Sequence, residues 1–169
     1  MLSMYPIILV LLAAACRLMP HEPNFTPIGA MAIFAGAEIK DVKIAVLVTL
    51  SAMLLSDLII GSDVTSFAVY LALTLSVLVG RYLKSSSSLK LGFISATLSA
   101  CLFFIITNLA VWFASGIYPR TLDGLYECFI LALPFFRNTL LSDYLYLGAL
   151  AAALSAGKAA LARSGVTSN

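Results

Sequence analysis

The sequence predicts an all-α fold: a polytopic transmembrane bundle of about six spans plus a short interfacial or re-entrant helix, in one domain over residues 1–169. Three observations lead there. Apolar residues make up 62% of the chain and charged residues 11%, where a soluble domain has about 45–50% and about 25%. Mean hydropathy is +1.04, more apolar surface than a chain of this size hides from water. The apolar residues also gather into charge-free runs close to the ~20 residues that cross a hydrocarbon core. The lipid bilayer is thus the first expected partner.

The first run, residues 5–19, resembles a secretory signal. Residues 1–16 hold no Lys or Arg, so the basic segment of a signal is missing and a retained helix is expected. Pro20, Pro23 and Pro27 then interrupt it, because proline removes a helix donor and clashes with the preceding turn. Residues 28–37 are apolar but reach only ~15 Å, about half a bilayer core. They span only if the helix runs on to Lys40, whose ammonium snorkels to the surface. Residues 44–60 span, with Asp57 near their end, and residues 65–83 follow. Ser85 to Ser88 make a connector. Residues 91–115 form the longest run, without a charge, and Gly116 and Pro119 end it. Within residues 121–136, Asp123 and Glu127 are i, i+4 neighbours, so one face is acidic and belongs near water. Pro134 adds a break, and this is the interfacial or re-entrant element. Residues 139–157 form the last span. Two small-residue pairs, Ala32-x-x-x-Gly36 and Gly148-x-x-x-Ala152, permit close helix approach.

Lysine and arginine set the expected orientation. Lys40, Lys43, Arg81, Lys84, Lys90, Lys158 and Arg163 share one side, against Arg17, Arg120 and Arg137 on the other. This places both termini in the cytoplasm, in a bacterial cytoplasmic (inner) membrane. The net charge is +2 and no dense basic run with interleaved aromatics occurs, which argues against a nucleic-acid partner. Cys16, Cys101 and Cys128 lack metal-type spacing and read as packing residues. There is no phosphate loop, dinucleotide fingerprint, nucleophile elbow or zinc motif. No cofactor, no metal and no enzymatic activity are expected.

The polar residues are placed lopsidedly, collecting at the non-cytoplasmic end. Asp57 and Asp143 each close a Leu-Leu-Ser-Asp tetrapeptide, residues 54–57 and 140–143. Each is expected ~6 Å inside the outer end of its helix. A carboxylate in a span faces the bundle interior and seeks a partner, and Arg17 and Arg137 stand at comparable depth. Two readings stay open: charge pairs that pin helices together, or a lined ligand site. The candidate substrate-binding set is Arg17, His21, Asn24, Asp57, Arg137, Asn138 and Asp143. For His21, the lone histidine, a loop residue bonded to nearby backbone is the competing reading.

Three stretches together carry a resemblance: residues 17–28 (RLMPHEPNFTPI), the Leu-Leu-Ser-Asp of the third span, and residues 133–140 (LPFFRNTL). The chain resembles a family of small bacterial membrane proteins of unknown function that bears a transport label. That family is similar, more distantly, to the substrate-binding S-components of energy-coupling-factor vitamin transporters, in size, helix number and an outward-facing site. S-components use an Ala-x-x-x-Ala patch on the first helix to dock their coupling subunit, whereas Ala13, Ala14 and Ala15 are adjacent here. The resemblance implies capture of a small polar, vitamin-like solute from outside, with ATP-driven coupling subunits as partners. A proton- or cation-coupled carrier and a non-transporting assembly or scaffold protein are the alternatives.

Overall fold

The computed structural model describes residues 5–83 and 88–163. Lys84, most of the serine connector and the tail after Arg163 lie outside the described residues. Six helices follow one another: α1 Tyr5–Cys16, α2 Ile28–Glu38, α3 Val42–Ile60, α4 Ser66–Leu83, α5 Leu89–Ala114 and α6 Leu122–Arg163. No strand occurs among the described residues. The chain is a helical membrane bundle, and α3, α4, α5 and α6 are each long and apolar enough to cross a bilayer.

Its surface is inverted relative to a soluble protein. Leu54, Leu58, Ile59, Phe67, Phe113 and Leu145 are exposed, as lipid contact allows. The interior is built from small residues. Ala68, Ala72, Ser76 and Gly80 line the buried face of α4, and Ser95, Ala96, Ser99 and Ala100 that of α5. Lipid supplies no hydrophobic drive between helices, so close van der Waals approach does the holding. The buried hydroxyls of Thr49, Ser56 and Ser76 donate to carbonyls one turn back in their own helices, which settles their protons without water.

The centre is α2. Eight of its eleven residues are buried, and it packs on α4 and α6 and touches α1, α3 and α5. Its apolar character all round, which gave no amphipathic signal, matches that enclosure. Gly36 and Gly80 let the α2 and α4 backbones meet. A Cβ at Gly36 would strike the Val77 carbonyl, and one at Gly80 the Ile33 carbonyl.

Three expectations need correction. First, α2 does not run on to Lys40: it stops at Glu38 and Ile39 is extended, so at ~16 Å it is a half-span. Arg81 bonds the Ile39 carbonyl and, at 3.0 Å, the Lys40 carbonyl, satisfying the frayed C-terminal end. Second, residues 121–136 are not a separate element. They join the last span in a single 42-residue helix that carries Pro134 within it. At ~63 Å, α6 is about twice as long as a ~30 Å core is thick, and Asp123 and Glu127 are exposed on its first turns. Third, Gly148 is exposed, and a Cβ added there would meet nothing within 4 Å. The Gly148-x-x-x-Ala152 pair therefore closes no contact among the described residues.

Candidate functional site

Residues 17–27 form a proline-rich loop that is exposed from Leu18 to Asn24 and turns into the bundle from Phe25 to Pro27. Arg17, just after α1, donates from Nη1 to Asp57 Oδ1 and Ser56 Oγ on α3, both at 2.5 Å. Asn138 Nδ2 on α6 donates to the Pro23 carbonyl at 3.0 Å. The Phe25 ring meets Tyr146 edge-on, 6.2 Å between centroids. Asn24 takes a left-handed φ of 60°, which a short amide side chain tolerates, and this reverses the chain toward α2. Pro27, whose missing donor costs nothing at a helix entry, leads into Ile28.

The loop therefore delivers the N-terminus of α2 to the interior of the bundle, beside Asp143. Asp143 sits at the midpoint of α6 and is 1% exposed. Its carboxylate faces Gly29 so closely that a Cβ there would fall on it. The Ala30 backbone N–H is turned toward it, and the positive end of the α2 dipole favours the anion. Neither carboxylate oxygen has a hydrogen-bond partner. At the far end of α2, Lys158 pairs with Glu38 at 3.4 Å. Counted along α6, Asp143 stands ~22 Å from Lys158.

Above Asp143 is a cavity of about 210 Å³, lined by Arg17, His21, Asn24, Thr26, Ile28, Gly29, Met53, Val69, Ser99, Phe103, Thr139 and Asp143. A wider pocket of about 550 Å³ adjoins it, sharing Asn24, Val69, Phe103 and Thr139 and walled by Phe104, Phe135 and Phe136. Loop, α2, α3, α4, α5 and α6 all contribute to the smaller cavity. It is polar at its base and aromatic toward the wider pocket.

Four of the seven residues read from the sequence, Arg17, His21, Asn24 and Asp143, line this cavity. The other three are placed otherwise. Asp57 is buried behind Arg17, and its second oxygen accepts from the Tyr70 hydroxyl at 2.6 Å; it holds α1, α3 and α4 together. Asn138 ties the loop to α6. Arg137 is exposed on α6, outside both pockets. His21 lines the rim with its ring nitrogens 2.9 Å from the Glu22 carbonyl and 3.3 Å from the Arg17 carbonyl. The two Leu-Leu-Ser-Asp aspartates stand differently within their helices. Asp57 lies one turn from the end of α3 while Asp143 is at the centre of α6, because α6 begins at Leu122 and not near Thr139.

Gly29, Ser99, Phe103 and Thr139 escaped the sequence reading. The three side chains are ordinary membrane-helix residues, and only packing shows which way they face. Gly29 had a signal: three prolines followed by an apolar stretch half a membrane long is the pattern of a discontinuous helix whose N-terminus meets a binding site.

Neither the curated proteins nor the solved structures compared with this chain include a match. The family comparison does return one, over residues 2–164, and the chain belongs to the family of unknown function DUF6580.

Proposed function

We propose that this protein captures a small polar solute from the non-cytoplasmic side of a bacterial cytoplasmic membrane and holds it between loop 17–27 and the α2 N-terminus. One observation supports this above the others: a buried carboxylate, Asp143, faces an interior cavity with both oxygens unpartnered. An ionisable group buried in a membrane bundle is costly and is ordinarily retained for a function. Asp57 shows how the same chain treats a carboxylate whose role is structural, since it is paired on both oxygens. Asp143 has no such pairing.

The orientation rests on charge. Lys40, Lys43, Arg81, Lys90, Lys158 and Arg163 share the end of the bundle opposite the loop, which fits the cytoplasmic face. Loop 17–27 is then the external gate, in the manner of an S-component. If an ATP-hydrolysing subunit co-purifies with the chain, capture is one step of a multi-subunit transporter. If the chain alone concentrates solute in sealed vesicles, it is a coupled carrier, a reading favoured by the same unpaired Asp143.

Native mass spectrometry of the chain released from native-lipid nanodiscs tests capture. A retained low-mass molecule is expected, and Thr139→Trp, which fills the cavity from α6, should abolish it. Retention undiminished in Thr139→Trp would move the site elsewhere.

A further inference from the structure

The cavity is unusual in what its polar atoms have left to offer. Ser76 Oγ donates to the Ala72 carbonyl, so in the 2.7 Å bond between Ser99 and Ser76 the proton belongs to Ser99. Thr139 Oγ1 donates to the Phe135 carbonyl at 3.0 Å. Each hydroxyl has one proton, and both are committed. Toward the cavity, Ser99 and Thr139 present lone pairs only. Asp143 adds two oxygens without a partner. Ser99, Thr139 and Asp143 thus offer acceptors, while the donors of Arg17, Asn24 and Thr26 belong to the loop.

Charge points the same way. Among the lining residues Arg17 carries the one guanidinium and there is no lysine; that guanidinium is held by Asp57 and Ser56. With that pair neutral, an ionised Asp143 has no compensating side chain and is offset only in part by the α2 dipole, roughly half an elementary charge. An anionic solute would meet repulsion here, and a neutral one would leave the carboxylate uncompensated. An ammonium group supplies both the charge and up to three donors.

We propose that the cavity takes a compact organic monocation, a primary or secondary ammonium compound, with its nitrogen against Asp143, Ser99 and Thr139. The inference rests on the capture reading above and names its ligand class. Met53, Val69 and Phe103 give the space apolar walls, which suit an organic body, and a ring such as Phe103 also attracts a cation. The volume, about 210 Å³, corresponds to about seven waters at liquid density. That is too roomy for a bare alkali ion and sufficient for a small amine.

The test is titration calorimetry and thermal-shift measurement on the full chain in lipid nanodiscs, with benzylammonium, benzyl alcohol, benzoate and sodium chloride as probes. Benzylammonium should bind at least tenfold more tightly than benzyl alcohol, with benzoate weaker still. Asp143→Asn should reduce that preference for the ammonium by about tenfold or more. The ratio within the native chain needs no variant, so a poorly folding substitution does not blunt the test. Equal binding of amine and alcohol, or an amine preference that survives Asp143→Asn, overturns the proposal. So does saturable stabilisation by sodium chloride without any response to benzylammonium, which would make this an inorganic-cation site. If none of the probes binds and no endogenous molecule is retained, the capture reading itself falls with it.

Discussion

Asp57 accepts from Arg17 on one oxygen and from Tyr70 on the other, in a setting where only 4% of its side chain is exposed. Removing one member of such a pair strands the other as a buried charge, at a cost of about 3–5 kcal/mol. Arg17→Ala is therefore expected to lower unfolding stability by about 3 kcal/mol, at the low end because Arg17 is itself 17% exposed. The double variant Arg17→Met with Asp57→Leu should recover most of that loss. Reversible unfolding in mixed micelles measures both, and a double variant no better than the single one would contradict the pairing argument. Asp63, in the connection before α4, carries a different weight. Its carboxylate accepts from the Thr65 hydroxyl and backbone N–H at 2.6 and 2.7 Å, and the Thr65 hydroxyl bond is the largest cause holding its pKa below the usual 3.8. A depressed folded-state pKa adds stability above the unfolded value that is lost as pH falls through the folded one. Asp63→Asn should thus cost a fraction of a kcal/mol at neutral pH, as exposed turn contacts do. The gap should begin to narrow below about pH 4 and close as the pH falls through the depressed folded-state pKa. A gap that persists at pH 2 would show that charge is not its origin.

Among the elements, α2 and α6 depart most from what the sequence suggested. The long apolar runs of α3, α4 and α5 were legible because a hydrocarbon core imposes length and hydropathy together. The half-length of residues 28–37 was legible too, but its meaning was not, since a short apolar segment reads equally as a truncated span or a buried core helix. Nor could Pro134 be resolved from sequence: it lies on an exposed face of α6 and the helix continues through it, as membrane helices allow. Which residues line the cavity depended on how α2 packs on α6, because the Asp143 carboxylate meets Gly29 there. Glycine substitutions probe these contacts directly. Gly36→Val or Gly80→Val forces the α2 and α4 backbones apart and is expected to cost about 1–3 kcal/mol or more. Gly148→Ala meets open space and should stabilise α6 by up to about 1 kcal/mol through helix propensity. Thermal melts in micelles rank the three. Equal losses would mean that the α2–α4 crossing is looser than the structure shows.

For the whole molecule, the distribution of Lys and Arg bears on topology. With loop 17–27 external, a cysteine placed at Ser62 in a cysteine-free background should react with an impermeant reagent from outside. One added after Asn169 should react only in inverted vesicles. External labelling at the C-terminus would reverse the orientation and turn the cavity toward the cytoplasm. The bundle also raises a question of assembly. The segment at its centre, α2, precedes in the chain the helices that enclose it on most sides, α4, α5 and α6, which are synthesised later. At eleven residues it cannot cross a membrane alone, and its open backbone ends are poorly tolerated in lipid. It must wait at the interface, or beside the insertion machinery, until its neighbours arrive. The middle of this protein is thus made before most of the helices that surround it, and in a nascent chain halted before α6 the α2 N-terminus still lacks the helix that carries Asp143.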